Sequence, residues 1–145
     1  MMNEPLSTIM TRKVVTVSPS DKLTAVKNIL FDQRFHHIPV VKNEKLVGII
    51  TSYDIMKLNL KFEDYENIAV EEVMTKKIVT LEANEKIGAA AQIFLRHLFH
   101  GLPTVNGEGD LQCIVTTHDI MRYVFDKEYP NDELERMYRA ENGSN

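Results

Sequence analysis

The chain has 145 residues, of which 43% are hydrophobic and 26% are charged. These proportions are typical of a globular domain and exclude a disordered or fibrous chain. A formal net charge of −4 argues against a broadly basic surface for nucleic acid, and a single cysteine excludes a disulfide framework. No apolar run has the length of a membrane span, and the first ten residues lack the pattern of a signal peptide. We therefore expect a cytoplasmic protein that binds neither nucleic acid nor membranes.

An internal repeat organises most of the sequence. Three segments return in the same order 64 or 65 residues later, with 18 identities over 47 aligned positions. The matching segments are MTRKVVTV and MTKKIVTL, HHIPVV and HGLPTV, and LVGIITSYDIM and LQCIVTTHDIM. Because a unit of about 60 residues buries its own apolar faces poorly, the two copies are expected to pack against each other.

Each copy is predicted to form the elements β-α-β-β-α, in an α+β fold. The first copy has a strand at Val14–Val17, a helix with apolar residues Leu23, Val26, Ile29 and Leu30, strands at His36–Val41 and Lys45–Thr51, and a helix from about Ser52. The second copy has a strand at Ile78–Leu81, a helix with Ile87, Ala90, Ile93 and Phe94, strands at Gly101–Val105 and Leu111–Thr116, and a helix from about Thr117.

The predicted units follow the repeat. The first repeat covers residues 6–58, an ordered connector covers 59–69, and the second repeat covers 70–124. Residues 125–145 form a polar tail in which 132–140 could form a short helix.

The motif T-x-x-D occurs twice, at Thr51–Asp54 and at Thr116–Asp119, each time where an apolar strand gives way to a helix. One interpretation is a capping box, in which the threonine and the aspartate satisfy free N–H groups at the helix start. The other is a nucleotide site, in which the hydroxyl and the helix N-terminus meet a phosphate and the carboxylate meets ribose hydroxyls. Both interpretations can hold together.

The five histidines do not form a metal-binding motif. His36 and His37 are adjacent on a predicted strand, so their side chains point to opposite faces. The sequence also has no C-x-x-C or H-x-x-x-H spacing of the kind that holds structural zinc. We therefore expect no metal site, and the histidines are either ordinary surface or core residues or phosphate contacts.

Two copies of this pattern, each with a strand of h-P-V-V type and an apolar strand that ends in T-x-x-D, resemble a tandem pair of CBS domains, named after cystathionine beta-synthase. The resemblance covers about residues 6–124. It implies a pseudo-two-fold module with two clefts between the repeats. It also implies a regulatory protein that binds AMP, ADP or ATP, with S-adenosylmethionine as the alternative ligand, requires no cofactor, and forms a homodimer.

The resemblance implies that each cleft joins the T-x-x-D side of one repeat to the first strand and the pre-proline segment of the other. One implied site contains Ile114, Thr116, Asp119, Met10, Val15, Phe35, His36 and His37. The other implied site contains Ile49, Thr51, Asp54, Met74, Val79, Phe99 and His100. The apolar members would enclose adenine, and the histidines would approach phosphate.

The two implied sites are expected to differ. Gly48 and His37 of the first copy correspond to Cys113 and Gly101 of the second. The Asp119 site would face the histidine pair and the basic pair Arg12–Lys13, whereas the other site would face His100 and the pair Lys76–Lys77. We therefore expect the Asp119 site to be the more tolerant of phosphate.

Two functions fit the sequence. The first is a nucleotide sensor that changes shape on binding and is read by an unidentified protein partner. The alternative is a structural or adaptor protein in which the T-x-x-D motifs only cap helices. No nucleophile–base pattern is present, so an enzyme is not expected.

Overall fold

The computed structural model describes residues 2–10, 14–33, 35–130 and 136. Each repeat contributes one two-stranded antiparallel hairpin with a helix before it and a helix after it. The first repeat comprises α1 (Leu23–Gln33), β1 (His37–Lys42), β2 (Lys45–Thr51) and α2 (Ser52–Met56). The second comprises α3 (Ile87–Arg96), β3 (Gly101–Val105), β4 (Leu111–Thr116) and α4 (Thr117–Glu128). The predicted α+β fold of two tandem repeats is confirmed.

The first predicted strand of each repeat is the exception. Val14–Val17 and Ile78–Leu81 are extended segments that each make one isolated parallel bridge instead of a ladder. The bridges pair Val17 with Val40 and Leu81 with Thr104. The predicted order β-α-β-β-α therefore holds with a first element that is reduced to one paired residue.

Proline explains why this pairing stops. The N–H of Val17 donates to the carbonyl of Pro39 at 3.1 Å, and the N–H of Val41 donates to the carbonyl of Val17 at 2.9 Å. The next bond toward the N-terminus would need an N–H at Pro39, which proline lacks. Pro103 accepts from Leu81 at 3.1 Å in the second repeat, so the same limit applies there.

Each repeat completes its core with the first residue of the other repeat. Leu6 is fully buried in the core of the second repeat, where its N–H donates to the carbonyl of Glu85 at 2.8 Å. Val70, at the equivalent position 64 residues later, is fully buried in the core of the first repeat and donates to the carbonyl of Asp21 at 2.8 Å. Separation of the repeats would therefore open both cores.

Most of the buried hydrophobic residues form two clusters, one centred on each repeat. The first is Val17, Leu23, Val26, Ile38, Val40, Ile50, Ile55, Tyr65 and Val70. The second is Leu6, Leu81, Ile87, Ala90, Leu102, Val115, Ile120 and Tyr123.

The turns of the two hairpins contact each other. The side chain of Lys45 lies 2.6 Å from a carboxylate oxygen of Asp110. The N–H of Leu46 donates to the carbonyl of Gly109 at 3.2 Å, and the N–H of Leu111 donates to the carbonyl of Glu44 at 3.1 Å. Gly109, in the turn that carries the extra residue of the second repeat, has a φ of 85°, which glycine adopts without strain. The contact holds the hairpins side by side at their turn ends.

The connector predicted at residues 59–69 contains a 3-10 helix at Phe62–Asn67. Helix α4 continues to Glu128, beyond residue 124, the predicted end of the second repeat. The predicted helix at 132–140 lies outside the described residues, Arg136 excepted, and so does the basic pair Arg12–Lys13. Within the described part of the chain, no helix has both the length and the apolar character needed to cross a membrane.

Candidate functional site

Both T-x-x-D motifs form capping boxes, as one of the two interpretations predicts. The hydroxyl of Thr51 accepts from the N–H of Asp54 at 3.1 Å, and the Asp54 carboxylate accepts from the N–H of Thr51 at 3.0 Å. In the second repeat the matching distances between Thr116 and Asp119 are 3.2 and 2.8 Å. A carboxylate has about four acceptor positions, so capping leaves capacity for further partners.

Asp54 has partners from both repeats. Its residue is 4% exposed, and its second oxygen, Oδ1, accepts from the Lys57 ammonium at 3.3 Å and from the Thr75 hydroxyl at 3.4 Å. Thr75 precedes the second repeat's extended segment, and its backbone exchanges hydrogen bonds of 2.9 and 2.8 Å with Ile49. Asp54 therefore lies at the contact between the repeats, and its buried charge is satisfied there.

A cavity of about 1000 Å³ opens beside Asp54. It combines an apolar wall with hydroxyl groups, histidines and lysines from both repeats. The lining residues are His36, His37, Ile49, Thr51, Ser52, Tyr53, Asp54, Lys57, Thr75, Lys77, Ile78, Val79, Leu98, Phe99, His100, Gly101, Leu102 and Pro103. This cavity is the candidate functional site.

The structure brings together the set of residues implied for the Asp54 site. All of them except Met74 line the cavity. Met74 lies against Gly48, where an added Cβ would stand 2.5 Å from the Met74 sulfur. The juxtaposition of these residues is a structural finding, while their contact with a nucleotide stays a prediction.

The placement of His36 and His37 differs from the prediction, which assigned both to the Asp119 site. Both line the cavity beside Asp54. His37 pairs with Thr51 in the hairpin, and the N–H of Ser52 donates to the carbonyl of His36 at 3.1 Å. In an antiparallel hairpin the start of the first strand lies beside the end of the second. The histidine part of the argument for a more phosphate-tolerant Asp119 site is therefore wrong.

The ring of His37 lies where the second repeat has no side chain. A Cβ added at Gly101 would stand 3.3 Å from the His37 Cγ atom and 3.4 Å from its Nδ1. The His37 and His100 rings lie with their centroids 6.3 Å apart. Burial lowers the pKa of His37 below its ordinary value of 6.5, and the charges of His100 and His36 lower it further.

Asp119 has a different environment. It is half-buried, and its Oδ2 atom also accepts from the Thr116 hydroxyl at 2.9 Å. A cavity of about 360 Å³ beside it is lined by Thr8, Ile9, Asp119, Arg122, Tyr123, Asp126 and Lys127. Among the residues that the structure describes, Asp119 is the one predicted site residue in that lining.

The other residues predicted for the Asp119 site do not line this cavity of about 360 Å³. The Met10 sulfur accepts from the Thr104 hydroxyl at 3.9 Å, and the Ile114 side chain lies 3.2 Å from where a Cβ of Gly101 would stand. Val15 is half-buried and Phe35 is 42% exposed. Among the described residues, the Asp54 cavity therefore gathers more of its predicted site residues than the Asp119 cavity does.

Sequence reasoning missed Thr75 and Lys57. Thr75 follows Met74 in the Met-Thr pair that opens both repeated segments, which was a usable signal. Lys57 stands three residues after Asp54 on the helix side of the motif, a spacing that brings side chains together. Among the described residues, no three His, Cys, Asp or Glu side chains are grouped to hold a metal ion.

The sequence profile of the CBS domain matches residues 6–61 and 70–126. The chain belongs to the CBS-domain family. Among curated CBS relatives, protein MJ1225 of Methanocaldococcus jannaschii is 33% identical over 140 residues, which is 86% of this chain and 50% of MJ1225. The homoserine O-acetyltransferase of Methanococcoides burtonii is 36% identical over 118 residues, or 80% of this chain and 23% of that protein. The chain thus spans half or less of these relatives.

Solved CBS structures show the same fold. The crystal structure of MJ1225 superposes with a TM-score of 0.79 at 28% identity, covering 85% of this chain and 48% of that one. The CBS domain pair of protein MJ0100, in complex with 5-methylthioadenosine and S-adenosyl-L-methionine, gives 0.71 at 29% identity and covers 83% and 98%. CBSX2 in complex with AMP gives 0.78 at 22% identity, covering 86% and 98%. The resemblance to a tandem CBS pair is confirmed.

Proposed function

We propose that this CBS pair is a regulatory module that binds an adenine nucleotide, AMP, ADP or ATP, in the Asp54 cavity and catalyses no reaction of its own. The observation that carries the proposal is the lining of that one cavity, where an apolar wall, a Thr–Asp pair and several cations converge. Each of the three suits one part of a nucleotide.

The apolar wall suits the adenine ring. Ile49, Val79, Phe99 and Pro103 come from both repeats and face the same space. A flat aromatic base buries both of its faces when it lies between such side chains, and this burial is the main favourable term for an apolar ligand. The cavity volume of about 1000 Å³ is sufficient for a nucleotide.

The Asp54 carboxylate suits ribose. It pairs with Lys57 at 3.3 Å. Its bonds from Thr51, Lys57 and Thr75 leave about one of its four acceptor positions open, so a second ribose hydroxyl would replace the 3.4 Å bond from Thr75. Hydrogen bonds from two neighbouring hydroxyls to one carboxylate are charge-assisted and therefore stronger than neutral ones. A sugar with a free cis-diol is the ligand group that fits this acceptor.

The cations favour a phosphate group over the sulfonium of S-adenosylmethionine. Lys57, Lys77 and three histidines line the cavity together with Asp54, its one carboxylate among the described lining residues. These positive charges stabilise a bound anion such as phosphate and disfavour a bound cation such as the sulfonium group. S-adenosylmethionine and 5-methylthioadenosine remain the alternative ligands because the MJ0100 pair, 29% identical to this chain, was solved with both.

A regulatory role agrees with the relatives. The match to the acetyltransferase covers 23% of that enzyme, which is consistent with a module that accompanies catalysis without performing it. We further propose a cytoplasmic homodimer with an unidentified protein target. Apolar side chains exposed on helices of both repeats support association with another chain, namely Phe31 (64%), Met56 (72%), Leu95 (88%) and Met121 (65%).

An adaptor function is the second candidate. It is favoured by the complete capping boxes of both motifs, because threonine and aspartate then have a structural role without any ligand.

Mass spectrometry of small molecules released from the purified protein, followed by thermal denaturation with AMP, ADP, ATP, S-adenosylmethionine and 5-methylthioadenosine, separates these candidates. We expect an adenine nucleotide to raise the melting temperature. A ligand at 100-fold over its dissociation constant adds about 2.7 kcal/mol of stability, which corresponds to roughly 5–10 °C in a protein of this size.

The variants Asp54→Asn and Asp64→Asn provide the matched comparison. Asp64 is an exposed carboxylate on the connector helix, so its substitution should leave the shift intact, whereas Asp54→Asn should reduce it. If none of the five compounds shifts the melting temperature at millimolar concentration, the nucleotide proposal is wrong and the adaptor function is favoured. If only S-adenosylmethionine or 5-methylthioadenosine shifts the melting temperature, these compounds and not a nucleotide are the ligands of the cavity.

A further inference from the structure

The Asp54 cavity concentrates positive charge in a chain whose net charge is −4. Its titratable side chains, taken over every described element that faces it, are His36 and His37 at the start of β1, Tyr53, Asp54 and Lys57 around α2, Lys77 in the extended segment, and His100 before β3. Asp54 is paired with Lys57 at 3.3 Å. The positive charge of the cavity that remains available to a ligand is therefore that of Lys77 and of the protonated histidines.

His37 and His100 form a pair between the repeats. Their ring centroids lie 6.3 Å apart, and the His37 ring occupies the space that the missing side chain of Gly101 leaves. At this separation a proton on one ring disfavours a proton on the other, and burial disfavours the charged form of His37. The pair therefore holds less than its full number of protons at neutral pH unless an anion lies beside it.

We infer that the Asp54 cavity selects nucleotides with a di- or triphosphate group, and that their binding takes up a proton at the His37–His100 pair. The inference rests on the proposed function, since it concerns the same cavity, and it adds both the ligand class and a dependence on pH. A single phosphate brings less negative charge to the pair, and adenosine brings none.

The direction of the pH effect follows from linkage. A polyphosphate beside the pair raises the affinity of the rings for a proton, and by reciprocity a proton on the rings raises the affinity of the cavity for polyphosphate. Carboxyl, phenol and ammonium groups ordinarily titrate outside pH 6–8, so the histidines are the groups of this cavity that change charge in that range. Binding of ATP should therefore strengthen as the pH falls from about 8 to about 6.

Titration calorimetry of the full chain measures both effects. At about pH 7, in two buffers that differ in ionisation enthalpy, the apparent binding enthalpy reports the protons taken up for each ATP. We expect uptake in wild-type protein and none with adenosine. Between about pH 8 and pH 6 the ratio of ATP to adenosine affinity should rise about tenfold, the change that accompanies a shift of one pKa unit.

The terminal phosphate of ATP itself titrates near pH 6 to 7, so variants must separate the protein's protons from those of the ligand. His37→Gln/His100→Gln removes both rings and should lose the proton uptake and the tenfold rise. His118→Gln is the matched control, because His118 is exposed on α4, pairs with Arg122 at 2.9 Å and does not line the cavity. The difference between wild type and the double variant cancels the contribution of the ligand.

A second measurement is made on wild-type protein, and variants serve only to assign its signals. The ring signals of the histidines in wild-type protein, followed by NMR against pH, should titrate at higher pH for His37 or His100 after ATP is added, and should not change with adenosine. Single Gln variants assign the two signals.

The outcomes are distinct. Equal proton uptake in wild type and the double variant, or ring signals that ATP leaves in place, overturns the inference while nucleotide binding itself stands. AMP, ADP and ATP affinities that do not differ overturn the ligand class. Failure of every adenine compound to bind overturns both this inference and the proposed function.

Discussion

The two T-x-x-D sites share one local structure and differ in what surrounds it. Both aspartates cap a helix through the same pair of hydrogen bonds. Asp54 is 4% exposed and bonded to Lys57, whereas Arg122, the equivalent of Lys57 in the second repeat, bonds to His118. The cap is thus a property of the repeated motif, and the environment of the carboxylate is set by residues that the repeat does not preserve.

The helices that follow also differ. Helix α2 has 5 residues and α4 has 12. Because α2 aligns fewer peptide dipoles than α4 does, we expect the first site to depend more on side-chain cations if it holds an anion. Those cations are what the Asp54 cavity provides. The difference indicates that the two T-x-x-D motifs would hold an anion by different means.

The largest expected effect is the difference between Asp54 and Asp119 in their contribution to ATP affinity. Asp54→Asn removes the charge that accepts ribose hydroxyls, and we expect ATP affinity to fall by roughly 2–4 kcal/mol, the value of two charge-assisted hydrogen bonds. Asp119→Asn should change ATP affinity less, because its cavity gathers fewer of the predicted residues. Titration calorimetry on both variants measures this, and an equal loss in the two would remove the functional distinction between the sites.

The sequence predicted the hairpins and caps well because local signals determine them. Strands β2, β3 and β4 begin and end where the alternation and the turn residues indicate, and both capping boxes follow from T-x-x-D alone. These features need only contacts between residues that are close in sequence.

What the sequence failed to predict depends on contacts between distant segments. Each first strand is reduced to one paired residue because Pro39 or Pro103 stands where the next backbone N–H of the neighbouring strand would be needed. The sequence of the first strand itself does not show this loss. The exchange of Leu6 and Val70 between the cores requires knowledge of how the repeats pack. The histidine placement was the avoidable error, since the antiparallel register already places His37 beside Thr51.

A smaller effect is expected where the repeats differ at Gly48 and Cys113. A Cβ at Gly48 would stand 2.5 Å from the sulfur of Met74 and 3.0 Å from its Cγ, so Gly48→Ala must displace that side chain. We expect a loss of about 1–3 kcal/mol in the free energy of unfolding, as for other overpacked sites.

Gly107→Ala is the matched control for this substitution. A Cβ there meets nothing within 4 Å, so its cost in urea denaturation should be small. If Gly48→Ala is as mild as Gly107→Ala, Met74 is free to move, and the contact of Gly48 with Met74 does not distinguish the first repeat from the second.

A still smaller effect tests the ion pair that distinguishes the first site. Lys57→Gln leaves Asp54 without its ammonium partner, but the Lys57 side chain is 50% exposed, so the cost in stability should be only about 0.2–1 kcal/mol. Arg122→Gln should leave the Asp54 cavity unchanged. ATP affinity should fall for Lys57→Gln and stay constant for Arg122→Gln, and the reverse order would assign the nucleotide to the Asp119 side.

The last prediction concerns pH and the protein without ligand. The pKa of His37 is lowered in the folded chain by burial and then by the charges of His100 and His36, whereas the unfolded chain has the ordinary value of about 6.5. The unfolded state therefore binds more protons below that value, and the contribution of His37 to stability is lost as the pH falls through its folded pKa. The pKa values of Glu4 and Asp110 are lowered by hydrogen bonds from Lys127 and Lys45, respectively, so their contributions to stability are lost at more acidic pH.

Urea denaturation of wild type, His37→Gln and His118→Gln between about pH 7.5 and pH 5.5 measures the loss of stability attributed to His37. The loss should be steepest in wild type and His118→Gln. If stability falls equally steeply with pH in all three proteins, the His37 ring is solvated. Added ATP should then leave the pH dependence of wild-type stability unchanged.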